Sequence, residues 1–131
     1  MKKTFEVSFP GGKRVDARIG ERIIRTDQDV REGGDGSAPE PFQLFLASIA
    51  TCAGIYALEF LRAREMDHGN TSLTMTCEFD ESGRVCRKLI IDLKLPEDFP
   101  DKYRKAVVRT MDLCSVKKHM VAPPEFEIKT S

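Results

Sequence analysis

Tryptophan is missing from this chain and histidine is scarce, with only two. Neither sign of charge is in excess: 131 residues carry 21 lysines and arginines against 21 aspartates and glutamates. That balance argues against nucleic acid or an anionic membrane as an obligatory partner, since both call for a net basic face. No Cys-x-x-Cys spacing occurs, and neither His68 nor His119 stands at ligand spacing from a cysteine, so no metal centre is expected. The glycine-rich segment Glu32–Gly36 lacks the Lys-Ser/Thr of a phosphate loop, and no Gly-x-Ser-x-Gly elbow is present; no cofactor is expected. The first residues, Met1-Lys-Lys-Thr-Phe-Glu-Val, lack the apolar run of a signal peptide. The uncharged stretch from Phe42 to Tyr56 is shorter than the roughly 18 residues that span a bilayer. These absences predict a soluble, cytoplasmic protein forming a single domain over residues 1–131.

What is present centres on residues 37–62. Small residues (Ala47, Ser48, Ala50, Thr51, Ala53, Gly54, Ala57) alternate there with large apolar ones (Leu44, Phe45, Leu46, Ile49, Ile55, Tyr56). Such a helix is apolar nearly all round and is expected to be buried. Glu40 before Pro41 marks its start, because proline suits the first helical position. Arg62–Glu65 closes it, and Asp67–Asn70 breaks it. Upstream, Thr4–Phe9, Arg14–Ile19 and Arg22–Thr26 read as three antiparallel strands joined by tight glycine turns, with a polar loop over 27–37. Downstream, Thr71–Asp80 and Val85–Leu95 alternate and predict a hairpin with one dry face. Tyr103, Ala106, Val107, Thr110, Met111 and Cys114 form one helical stripe. A short helical turn over 115–120 and a last strand at Phe126–Ile128 complete the order. The predicted class is α+β with antiparallel sheet around a long buried helix and a second helix. Covering a helix apolar on every side is hard for one chain of this size, so a second copy is expected to cover part of it.

The four cysteines are too few for a disulfide scaffold at this length. Cys77 lies on the apolar face of its strand and reads as a small core residue. Cys86 falls on the polar face beside Arg84 and Arg87 and reads as incidental. Cys52 and Cys114 both sit on inward faces of helices. Two such thiols within reach can do peroxide chemistry: a thiolate attacks the O–O bond, becomes a sulfenic acid, and condenses with the second thiol to a disulfide. Cys114 precedes a possible short helix whose N-terminus, with nearby lysines, favours thiolate.

The stretch Gly34–Cys52 (a glycine-rich loop, a proline, an apolar helix start, then small residues before a helical cysteine) resembles the signature of the OsmC/Ohr family of osmotically induced and organic hydroperoxide resistance proteins. Asp112-Leu-Cys114-Ser-Val-Lys-Lys118 resembles the family's second-cysteine motif. The resemblance implies an OsmC-like fold in an intertwined homodimer with active sites at the subunit interface. It also implies stress-response, peroxiredoxin-like antioxidant chemistry: Cys52 as peroxidatic and Cys114 as resolving thiol, an organic hydroperoxide as substrate, and an external dithiol as reductant. Arg31 in the loop is the match to the family's thiolate-activating arginine, with Arg14 of the first hairpin as the fallback. The family's glutamate ten residues before the helical cysteine is Phe42 here, followed by the neutral Gln43, and Ser115 stands where proline is usual. This places the chain nearer the OsmC-like than the Ohr branch. The alternative is a non-catalytic protein that binds an apolar small molecule in the dimer cavity or senses redox state.

Overall fold

The computed structural model describes residues 1–66 and 69–131; the break expected at 67–70 therefore falls partly outside the described residues. The chain forms two compact units, Met1–Ala47 and Ser48–Ser131.

In the N-terminal unit, β1 (Glu6–Gly11), β2 (Arg14–Ile19) and β3 (Arg22–Thr26) make an antiparallel sheet in the order β1-β2-β3. Val7 pairs with Ala17, and Ala17 with Ile24. Gly20 takes a φ of 61° in the turn between β2 and β3, a conformation that glycine adopts without penalty. The sheet's apolar side chains stay open: Phe9 is 81% exposed. Below it, the loop expected at 27–37 is ordered around Asp27, which is fully buried. Its carboxylate accepts the N–H groups of Gln28, Asp35 and Ser37 at 2.8, 3.3 and 3.0 Å, and the Ser37 hydroxyl at 2.6 Å. Four donors on one carboxylate stabilise its charged form and hold its pKa down at about 2. Gly34 is packed so closely that a Cβ there would stand 2.0 Å from the Gln28 carbonyl oxygen.

The central helix α1 (Pro41–Ala63) starts where the sequence predicts. Glu40 precedes it, and the Gln43 side chain reaches back to accept the Glu40 N–H at 3.0 Å, one half of a capping box. With 23 residues and a long apolar window, α1 is by length and composition long enough to cross a membrane, which the shorter uncharged run did not suggest. One side of it is core: Ala53, Ala57, Phe60 and Leu61 cluster with Phe99, Val107 and Met111. Elsewhere on α1, Ile55 is 46% exposed in the single chain. One short chain has too little mass to surround it.

In the C-terminal unit, β4 (Ser72–Phe79) and β5 (Cys86–Lys94) form the expected hairpin as a separate two-stranded sheet. Leu73, Leu93 and Ile91 pack against the core cluster from it. The second helix is α2 (Arg104–Met111), and the short helical turn expected over 115–120 is α3 (Ser115–Val121), with Cys114 as the residue that caps α3. The stripe is realised: Val107 is fully buried, and Met111 and Cys114 are buried with it. The final strand is corrected. Phe126–Ile128 alternates but pairs with no strand among the described residues, and a strand exists only through a ladder partner. The α+β class with antiparallel sheets stands.

Candidate active site

Cys52 lies in mid-α1, half-buried, one residue before the close-packed Ala53. The chain turns after α2, and the start of α3 lies against α1. The Cys52 Sγ stands 3.8 Å from the Ser115 Oγ. An ion pair between Lys117 and Asp112 spans this turn, and within α3 the His119 Nδ1 lies 2.6 Å from the Ser115 carbonyl oxygen. Lys117 therefore spends its charge on Asp112 rather than on a thiol.

The two helical thiols, which the sequence singles out, are brought together. Cys114 donates its S–H to the Cys52 sulfur, and the backbone N–H groups of Val116 and Ser115 point at the same atom. Donors favour the charged form, so Cys52 titrates below an ordinary thiol. Cys114 moves the opposite way: burial and the hydrogen bond to Cys52 keep its proton on. The pair is thus polarised, with one thiol set to ionise and the other to stay protonated. All the effects that lower Cys52 are hydrogen bonds, the largest being the one from Cys114.

The two arginine candidates belong to the N-terminal unit. Arg31 sits in a 3-10 turn (Val30–Glu32), where its backbone N–H donates to the Asp29 carboxylate at 2.9 Å and its side chain is exposed. Arg14 donates from Nε to the Gly11 carbonyl at 3.2 Å in the first hairpin. Phe42, at the position of the family glutamate, stacks on Phe45 with ring centroids 5.8 Å apart.

Beside the thiol pair, the C-terminal unit holds a cavity of about 490 Å³. Cys114 lines it with Ile49, Ala53, Val107 and Met111 from the helices, Leu89, Ile91 and Leu93 from one face of β5, and Leu95 just beyond that strand. Asp92, Arg104, Asp112 and Lys117 supply its polar groups. Such walls suit an apolar organic molecule. Among the described residues, no group of three or more His, Cys, Asp or Glu side chains could hold a metal ion.

The contribution of Ser115 and of the Val116 N–H was not foreseen. The sequence does carry one signal for it: serine keeps a backbone N–H and adds a hydroxyl at a place where proline would supply neither.

Residues 34–129 match the OsmC-like protein family, and the chain belongs to that family. No curated protein sequence matches it. Among solved structures, it is similar to a Psychrobacter arcticus protein named for osmotic stress induction and detoxification response. That structure has a TM-score of 0.75 and 26% identity, over 90% of this chain and 88% of the other. The organic hydroperoxide resistance protein OsmC of Legionella pneumophila shares the fold at a TM-score of 0.56 and 17% identity, over 92% and 89% of the two chains. An organic hydroperoxide resistance protein of Vibrio cholerae does so at 0.53 and 18%, over 88% and 83%.

Proposed function

We propose that the protein is a thiol-dependent peroxidase for organic hydroperoxides, with Cys52 as the peroxidatic and Cys114 as the resolving thiol. A peroxide-related stress role accords with its family and with the hydroperoxide resistance proteins that share its fold. The observation that carries the finer reading is the polarised pair, with Cys52 lowered by the Cys114 thiol and the α3 N–H groups. In the first step the Cys52 thiolate attacks the terminal peroxide oxygen. The O–O bond breaks, the alkoxide takes a proton and leaves as the alcohol, and Cys52 becomes a sulfenic acid. The Cys114 sulfur then attacks the Cys52 sulfur; its proton and the sulfenic hydroxyl leave as water, and a disulfide forms. An external dithiol returns both thiols by exchange and is itself oxidised to a disulfide. Arg31, with Arg14 as the fallback, would add positive charge near the thiolate. Residues 1–131 would act as one OsmC-like domain in a soluble, cytoplasmic homodimer, the second copy covering exposed apolar side chains such as Ile55.

The test is single-turnover oxidation with cumene hydroperoxide followed by intact mass. A loss of two hydrogens mapped to a Cys52–Cys114 link is expected. Unchanged mass with full recovery of both free thiols defeats the proposal. The apolar cavity favours a second reading, a non-catalytic binder or redox sensor. Native mass spectrometry showing a retained apolar molecule, with no peroxide consumption, would select it.

A further inference from the structure

The remaining two thiols also meet, and a β-bulge is the reason. Along the hairpin Cys77 pairs with Leu89 and Glu78 with Lys88, but Phe79 then pairs with Cys86. Arg87 is the extra residue on β5. In an unbroken ladder Arg87 would stand opposite Phe79 and Cys86 would point to the other face, as its sequence spacing suggests. The bulge instead puts Cys86 opposite Phe79, on the face of Cys77, as its diagonal cross-strand neighbour. The S–H groups run in series: Cys77 donates to Cys86, and Cys86 donates to the Lys88 carbonyl at 3.6 Å. Both thiols are half-buried, so small reagents reach them.

We propose that Cys77 and Cys86 are a second, independent redox pair, closed to a cross-strand disulfide by a low-molecular-weight disulfide such as oxidised glutathione. Cys86 is the attacking sulfur, because burial and the neighbouring Cys86 keep the Cys77 proton in place. The Cys86 thiolate attacks one glutathione sulfur and expels the other as thiolate. Cys77 then loses its proton and attacks the Cys86 sulfur, releasing the second glutathione. Two protein thiols are oxidised and one glutathione disulfide is reduced to two thiols. Diagonal partners stand at the upper edge of disulfide reach, so closure draws the bulged end of the hairpin together and yields a link that reductants reopen readily.

The test uses the full wild-type chain, reduced, treated with oxidised glutathione, blocked with N-ethylmaleimide and digested with trypsin without reduction. Cleavage after Arg64, Arg84 and Arg87 separates the two cysteines, so the expected product is peptide 65–84 joined to peptide 85–87, with both maleimide adducts lost. The same link is expected in the Cys52→Ser/Cys114→Ser double variant, whose fold is checked by circular dichroism. That arm stands whatever becomes of the peroxidase reading. The inference is overturned if both peptides carry maleimide, if each is glutathionylated singly, or if Cys86 links only to a second copy of itself.

Discussion

The two thiol pairs hold the same chemical groups in opposite surroundings. Cys52 meets the start of α3, where backbone N–H groups have no helical carbonyl to bond, and those donors stabilise its thiolate. Cys77 lies on a sheet, where the ladder already uses the backbone N–H groups, so burial dominates and its thiol holds its proton more tightly than usual. Each pair also contains a thiol that donates to the other. The difference teaches that proximity of two cysteines sets up a pair, while the supply of unused donors decides whether either sulfur is charged. Asp27 follows the same rule as Cys52 in a different chemical group: donors crowd a buried carboxylate and its pKa falls.

The largest expected effect separates the pairs outright. Cys52→Ser should abolish hydroperoxide consumption, whereas Cys86→Ser should leave it intact; equal loss in both would erase the distinction drawn between them. Next, Cys114→Ala removes the largest donor to Cys52. Its thiol should then titrate higher, and iodoacetamide should label it roughly three- to tenfold more slowly at pH 7. Faster labelling would mean that exposure, not hydrogen bonding, governs Cys52.

Asp27 tests the donor rule through stability. Its folded pKa of about 2 lies below the ordinary value of 3.8. The stabilisation is therefore full above the ordinary value and is lost as pH falls towards 2. Asp27→Asn should be less stable at neutral pH and should flatten this acid limb in chemical denaturation. A variant retaining the wild-type slope would show that the Asp27 donors are not what depresses the carboxyl. The smallest effect belongs to Ser115→Ala, which removes a hydroxyl 3.8 Å from the sulfur but keeps the N–H. About a twofold drop in Cys52 labelling is expected, and Ser115→Pro, which also removes the N–H, should drop it further.

Most of the secondary structure was legible because its cause is periodic. Leu73, Met75 and Cys77 alternate, and Val107, Met111 and Cys114 recur at helical spacing, so strand and helix announce themselves. The start of α1 was legible in Glu40 and Pro41. Three features were not. Cys86 changed face because a bulge adds one residue to a pattern that still looks alternating. Phe126–Ile128 has the alternation of a strand, but pairing depends on a neighbour that no local pattern records. The donors around Cys52 are main-chain atoms, which side-chain identity does not encode; only Ser115 hinted at them. The meeting of Cys52 with Cys114 was readable as two inward-facing thiols, but the direction of proton sharing between them required their positions.

The bulge at Arg87 acts as a parity device. A strand assigns its side chains to two faces by odd and even count, and one inserted residue inverts that count for everything beyond it. Deleting Arg87 would set Cys86 directly before Lys88, opposite Phe79 in an unbroken ladder, and so keep it on the face of Cys77, whereas pairing Arg87 with Phe79 would turn Cys86 to the other face. In this hairpin, whether the chain owns two thiol pairs or one depends on whether Arg87 is bulged out of the ladder or paired within it.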